Sequence, residues 1–330
     1  MRVALDAMGG DLAPGPIVAG AVQAVQADAD LTVVLVGDQD RIAPLLPTGP
    51  ERSRLELFHC TQAVAMDDKP TIHRSKPDNS IKHCWELLAT DRVSGLVSAG
   101  NTGAMVAGGH FMKRFLPGVE RPGIATVYPT EKGPLVLLDV GANIAAKPEH
   151  LYQYAIMGGV YSRHVLGVAS PRIALLNIGE EEGKGNDLAK EAYPLLKRLP
   201  AFAGNLEGRE FHKGMADVVV CDGFVGNVLL KYSEGVFAYL LRAVQQELAA
   251  HVGADKLGPA LRALGARYDY AEYGGAPLLG INGACVICHG SSGDRAIRNA
   301  LLKAAVPYVR ADVNGLIVKE LEANPLPAKA

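Results

Sequence analysis

Glycine-rich turns carrying Asn, Asp, Ser or Lys are where this 330-residue sequence concentrates its chemistry. Its 37 glycines exceed the roughly 23 that average usage would give, and glycine collects where backbone turns tightly or approaches a ligand closely. Ser98-Ala-Gly-Asn-Thr-Gly103 separates an apolar run from a helical segment. Free backbone N–H groups and the helix dipole favour an anion there, so Ser98, Gly100, Asn101, Thr102 and Gly103 form a phosphate cradle by position. The stretch matches neither the dinucleotide fingerprint nor a Walker A loop, and taken alone a plain glycine turn explains it as well.

Asp139-Val-Gly-Ala-Asn143 and Asp222-Gly-Phe-Val-Gly-Asn227 share one form: a strand-end carboxylate, small residues, then an amide expected before a helix. Asn143, Asp222 and Asn227 are candidates to orient a substrate; for either loop alone the plainer reading, Asp and Asn satisfying their own turns, has the advantage. In Asn177-Ile-Gly-Glu-Glu-Glu-Gly-Lys-Gly-Asn186, Lys184 stands between two glycines that let its ammonium approach a phosphate, with Asn186 beside it. The three glutamates equally suit a solvated loop. Gly274 to Gly283, containing Asn282, runs into an expected strand and then His289-Gly-Ser-Ser-Gly293. His289 is placed to donate a hydrogen bond or shuttle a proton, with Ser291 and Ser292 as anion donors; a single histidine is more often structural.

Cys285-Val-Ile-Cys288-His289 spells the pattern of c-type haem attachment, but that chemistry needs an exported chain and an accessible motif, whereas this one fits an apolar strand; a redox pair is the lesser alternative, since alternation along a strand points the two thiols to opposite faces. No second CxxC or HxxxH pair completes a zinc site, so no metal is expected. GxSxG and HExxH are absent as well.

The elements that must position these loops are legible as short apolar, β-branched runs: Val3 to Ala7, Leu31 to Val36, Leu55 to Cys60, Gly95 to Ser98, Leu135 to Val140, Arg172 to Ile178, Val218 to Cys221 and Cys285 to Cys288. Helical spacing lies between most of them, as in Ile17, Val18, Ala21, Val22 and Val25. Alternating strand and helix predicts an α/β/α architecture around a largely parallel sheet. No composition break divides residues 1–330, so a single domain is expected, with a frayed tail from Asn324. Residues 227–267 differ because they read as two helices with no strand between them, turned at Gly253 to Lys256. Packing on the sheet or on a second copy is the plainer use of that hairpin; contact with a membrane surface is the sharper one. Val93 to Met112 lacks charge, yet its glycines and polar residues suit a strand, turn and helix rather than a membrane span.

A net charge of -2 offers nucleic acid no attraction. Asp6 interrupts the first apolar run too early for a secretory signal, which predicts a cytoplasmic protein with five reduced cysteines.

Collected, these motifs resemble the acyl-acyl-carrier-protein:phosphate acyltransferase family of bacterial phospholipid synthesis. The resemblance runs through Asp6-Ala-Met-Gly-Gly-Asp11 with Ala13-Pro14, Ser98 to Ala104, Leu138 to Asn143, Asn177 to Asn186, Asp222 to Asn227 and Gly274 to Ser292. It implies a fold akin to isocitrate and isopropylmalate dehydrogenases and to phosphotransacetylase, usually as a homodimer. It implies an acyl group moved from the acyl carrier protein thioester to inorganic phosphate, with no cofactor, and peripheral membrane contact through the hairpin. Positioning the phosphate against the carbonyl is worth about 7–11 kcal/mol and an oxyanion donor about 3–4 kcal/mol. On this reading phosphate attacks directly, and Lys184 or His289 protonates the departing thiolate. The covalent alternative needs Cys288 activated by His289. Two other readings compete: an oxidative decarboxylase, which lacks its arginine cluster here, and a membrane-bound scaffold, which leaves the loops without a purpose.

Overall fold

In a computed structural model, which describes residues 1–112, 114–249, 251–268 and 272–327, the chain forms an 11-stranded sheet in the order β3-β2-β1-β4-β11-β10-β5-β6-β9-β7-β8. The strands are β1 (Arg2–Asp6), β2 (Thr32–Gly37), β3 (Leu55–His59), β4 (Gly95–Ser98), β5 (Gly123–Thr130), β6 (Gly133–Leu138), β7 (Ile173–Asn177), β8 (Phe202–Glu207), β9 (Val218–Val220), β10 (Ala276–Leu279) and β11 (Ala284–Ile287). The helices are α1 (Gly15–Ala27), α2 (Gln39–Ile42), α3 (Ser80–Ala89), α4 (Thr102–Met112), α5 (Pro148–His164), α6 (Asp187–Leu196), α7 (Gly223–Leu248), α8 (Ala254–Tyr268), α9 (Asp294–Asn299), α10 (Val306–Arg310) and α11 (Val313–Ala323).

Alternation along each strand sends side chains to two separate cores, making three layers. Val3 and Leu5 of β1 and Val286 of β11 join one core with α1, α5, α6 and α9 to α11. Ala4, Cys285 and Ile287 face the other with α3 and α4, against which Leu229 and Leu230 of α7 pack. Cys288 belongs to the first core and Cys285 to the second, on opposite faces. The fold is therefore α/β/α as the alternation of elements predicts.

Three strands escape the sequence pattern. β5 carries Pro129, β10 carries Pro277, and β8 is a half-exposed edge strand with a register shift around Ala174; proline and broken alternation both weaken a strand signal. The missed pair β5 and β10 has a large consequence. β10 runs antiparallel to β11 and to β5, and β5 antiparallel to β6, whereas the remaining pairings are parallel. The strands β6, β9, β7 and β8 consequently run opposite to β1, β2, β3, β4 and β11.

The expected hairpin is present but longer, from Gly223 to Tyr268. The Asp222 carboxylate accepts from Phe224 N and Val225 N, both at 2.9 Å, so the helix starts directly after it and Asn227 sits inside the helix rather than before it. No helix among the described residues is long and apolar enough to cross a membrane.

Candidate active site

Ligands in open α/β sheets gather beyond the carboxyl ends of strands, and here those ends form two groups. β1, β4 and β11 are parallel neighbours, with Leu5 level with Val97 and Ser98 level with Ile287. Their loops make the first group. Gly10, at φ +96°, turns so tightly against the Gly290 carbonyl that no side chain fits, and Asp11 N donates to Gly290 O at 2.8 Å.

Beneath that turn Asp6 is fully buried. Ser98 Oγ donates to its Oδ2 at 2.7 Å and Met8 N to its Oδ1 at 3.1 Å; Ser80 Oγ faces the same carboxylate without hydrogen-bond geometry. Burial pushes the Asp6 carboxyl above its usual range, against the pull of these donors. Ser98 Oγ also accepts from Gly100 N at 2.9 Å. Asn101 caps α4 by accepting from Ala104 N at 2.9 Å, and its amide donates to the Ala65, Met66 and Asp68 carbonyls. Ser98 and Asn101 thus hold the loop rather than offer atoms to a ligand, while Thr102 is exposed and Gly103 half-buried at the α4 N-terminus.

The loop after β11 supplies the groups that point outward. His289 and Ser291 are exposed, with His289 Nδ1 2.8 Å from Ser291 Oγ and accepting from Ser291 N at 3.3 Å. That bond leaves the proton of a neutral ring on Nε2. Ser292 is only 1% exposed, and its Oγ has no hydrogen-bond partner among the described residues, although buried hydroxyls are nearly always paired. It precedes α9, whose first turn has no side-chain cap. A buried donor beside an uncapped N-terminus is an arrangement that suits an anion.

The second group lies at the ends of β6, β9 and β7. Asp139 Oδ1 accepts from the backbone N of Ile124, Gly141 and Ala142, and Oδ2 from Asn143 N at 2.7 Å and Asn143 Nδ2 at 3.3 Å. Burial still pushes its carboxyl upward. Asn143 Nδ2 also donates to Pro122 O and Tyr154 Oη. Asn186 caps α6 by accepting from Ala189 N at 2.9 Å. Asp139, Asn143, Asp222 and Asn186 therefore satisfy their own turns and helix ends. Asn227 is exposed beside Gly141. Lys184 is exposed on a loop pinned by Asn177 Nδ2 to Lys184 O and Asn205 Nδ2 to Glu181 O.

Because β6, β9 and β7 run against β4 and β11, this second group sits at the opposite edge of the sheet from the first. Asn282 joins it, since it occupies the turn before β11 and donates its N–H to Arg114 O at 2.6 Å. Within one chain the structure brings together Ser98, Gly100, Asn101, Thr102, Gly103, His289, Ser291 and Ser292, and separately Asn143, Lys184, Asn186, Asp222, Asn227 and Asn282. Sequence reasoning had no role for Asp6, whose signal is a lone carboxylate ending an apolar run before Gly9 and Gly10.

Cys288 is buried and its thiol is pushed up to about 12. At neutral pH only about one molecule in 100,000 would carry a thiolate, which argues against the covalent alternative. Among the described residues no group of three or more His, Cys, Asp or Glu side chains is arranged to hold a metal ion.

A family model described as fatty acid synthesis protein matches residues 1–315. The phosphate acyltransferase of Heliobacterium modesticaldum is 52% identical over 309 residues, 91% of this chain and 92% of its own length. This chain belongs to the phosphate acyltransferase family. A second family member, from Nitratidesulfovibrio vulgaris, is 47% identical over 98% of this chain and 95% of its own. As a phosphate acyltransferase family member the chain is an acyltransferase of fatty acid synthesis. A phosphotransacetylase from Streptococcus pyogenes shares the fold, with a TM-score of 0.61 at 16% identity over 93% of this chain and 94% of that one.

Proposed function

We propose that the enzyme transfers a fatty acyl group from the thioester of acyl carrier protein to inorganic phosphate and releases acyl phosphate for phospholipid synthesis. The relatives' name, phosphate acyltransferase, supports phosphate as acceptor. The observation that carries the phosphate's position is the buried, unpartnered Ser292 hydroxyl between His289 and the uncapped α9 N-terminus.

Ser292 Oγ, Thr102 and the backbone N–H groups at the starts of α4 and α9 hold the phosphate, and hydrogen bonds to a charged oxygen contribute about 1.5–3 kcal/mol each. A phosphate oxygen attacks the thioester carbonyl, the tetrahedral intermediate collapses, and the carbon–sulfur bond breaks. The thiol leaves readily as thiolate, its ordinary pKa being near 8.5, and takes up the proton that the hydrogen phosphate nucleophile carried, with His289 Nε2–H hydrogen-bonded to the departing sulfur. Lys184, Asn227 and Asn282 stand at the other edge, so they complete this pocket only if a second copy presents them in a homodimer. The outward residues Phe224, Val228 and Tyr239 of α7 support peripheral membrane contact of an otherwise cytoplasmic protein.

The test mixes purified enzyme, acyl carrier protein thioester and inorganic phosphate, and traps acyl phosphate as the hydroxamate with hydroxylamine. Phosphate-dependent hydroxamate is expected. Release of free fatty acid at the same rate with and without phosphate would refute the reading.

A further inference from the structure

The groups assigned to the phosphate, the Ser292 and Thr102 hydroxyls and the backbone N–H groups at the start of α4, all serve it as hydrogen-bond donors. Donors do not tell hydrogen phosphate from sulfate, which has the same tetrahedral shape and the same double negative charge. The two anions differ by one proton. An acceptor at the site reads that proton, and the loop after β1 supplies one.

Asp6 ends β1 and spends its carboxylate on Ser98 Oγ and Met8 N. Gly9 and Gly10 then carry the chain across the end of β11, where Asp11 N donates to Gly290 O at 2.8 Å. The Asp11 carboxylate lies against Gly290: the first carbon of a side chain there would stand 3.2 Å from its Oδ2, 3.4 Å from its Oδ1 and 3.1 Å from Met66 Cε. Unlike Asp6 and Asp139, Asp11 is exposed, and no donor among the described residues reaches its carboxylate. Gly290 is the second residue of a turn closed by Ser292 N donating to His289 O at 3.0 Å, and the ends of such a turn lie within about 7 Å. A tetrahedral anion hydrogen-bonded through two of its oxygens spans about the same distance, roughly 7 Å. One phosphate therefore touches both the buried, unpartnered Ser292 hydroxyl and the Asp11 carboxylate.

We infer that Asp11 selects hydrogen phosphate over sulfate, its carboxylate accepting the hydrogen bond that the P–O–H group donates. The inference rests on the proposed phosphate position and adds to it the contact that discriminates. An ionised carboxylate only accepts. Sulfate carries no proton at neutral pH, so it meets Asp11 as a like charge with no hydrogen bond to offset the repulsion. A site built to bond a substrate's O–H rejects the analogue that lacks it far more strongly than shape alone does, and one charge-assisted bond is worth about ten- to a hundredfold in affinity. With its protonated oxygen engaged by Asp11, the phosphate keeps a bare oxygen for the thioester.

The test reads both anions without turnover. The phosphorus-31 linewidth of inorganic phosphate is recorded with the purified enzyme, and sulfate is added at constant ionic strength until it displaces the phosphate. The parent enzyme is expected to prefer phosphate at least tenfold. In Asp11→Asn the side-chain NH₂ donates to either anion, and the preference is expected to fall at least tenfold, chiefly through tighter sulfate. Asp11→Ala, which removes the acceptor and adds no donor, is expected to fall between the two. An unchanged preference in both variants, with unaltered thermal midpoints, overturns the inference, and so does a parent enzyme that binds the two anions alike. Selective phosphate binding that depends on Asp11 but yields no hydroxamate counts against the acyl transfer and leaves the inference standing. Phosphate-dependent hydroxamate that sulfate inhibits equally in parent and Asp11→Asn does the reverse.

Discussion

The loops after β1, β4 and β11 and those after β6, β9 and β7 look alike in sequence and differ in how their polar atoms are used. In both, a buried aspartate ends a strand: Asp6 in one, Asp139 in the other. Asp139 accepts five N–H donors and closes its own turn. Asp6 accepts from Ser98 and Met8, and beside its loop stand an unpartnered Ser292 hydroxyl and an uncapped helix start. A carboxylate that completes its own turn leaves nothing for a ligand. A site needs donors that folding has left unmatched, and in the first group the Ser292 hydroxyl is one.

That contrast can be broken most sharply at Asp139. Asp139→Asn places an NH₂ against at least two N–H donors in either rotamer, and each buried donor left unmatched costs about 1–3 kcal/mol; a loss of about 3 kcal/mol is expected from urea unfolding. A loss below 1 kcal/mol would show that the five donors are not essential. His289→Ala comes next, with an expected fall in kcat of about 100-fold and an unaltered thermal midpoint, because the residue is exposed. Parallel losses in rate and stability would make it a structural histidine. Ser292→Ala should raise the KM for phosphate about tenfold, one charged hydrogen bond, without lowering stability, since its hydroxyl has no protein partner to lose.

Asp6→Asn is expected to change stability by no more than about 1 kcal/mol at pH 7 and to alter its pH dependence. The folded chain holds the Asp6 proton above 3.8, the ordinary value, so parent stability falls as pH rises from 3.8 through the raised value and is level beyond it. The variant lacks that fall, which paired urea midpoints between pH 4 and 7 would read; identical slopes would remove the burial argument. Lys184→Ala is the smallest, with less than about threefold loss of kcat/KM expected if one chain's first group is the whole site. A loss above tenfold would show that the opposite edge, presented by a second copy, completes it.

Much of the fold was legible because eight strands are apolar, short and punctuated, from β1 to β11, and because α1 repeats at helical spacing. The gly-rich loops were legible as a set for the same reason. The Asp139 and Asp222 turns could also be read locally, since an Asx side chain reaches its own backbone two or three residues on. What stayed hidden was direction. β5 and β10 carry proline and flanking glycines that blur their period, and without them the sheet reads as one parallel run whose loops all share an edge.

By itself the sequence determined the layered α/β class, the helical hairpin, the loop residues and the family, because periodicity, turn chemistry and motif order are written in neighbouring residues. Only the tertiary structure decided that those loops separate into two groups, that Ser98 and Asn101 are consumed in holding a turn, and that the Asp11 carboxylate lies against Gly290. The reason is physical: strand direction is set by partners as far apart as Gly95 and Ala284, the pairing of a buried polar atom by partners as far apart as Asp6 and Ser98, and no local pattern records them.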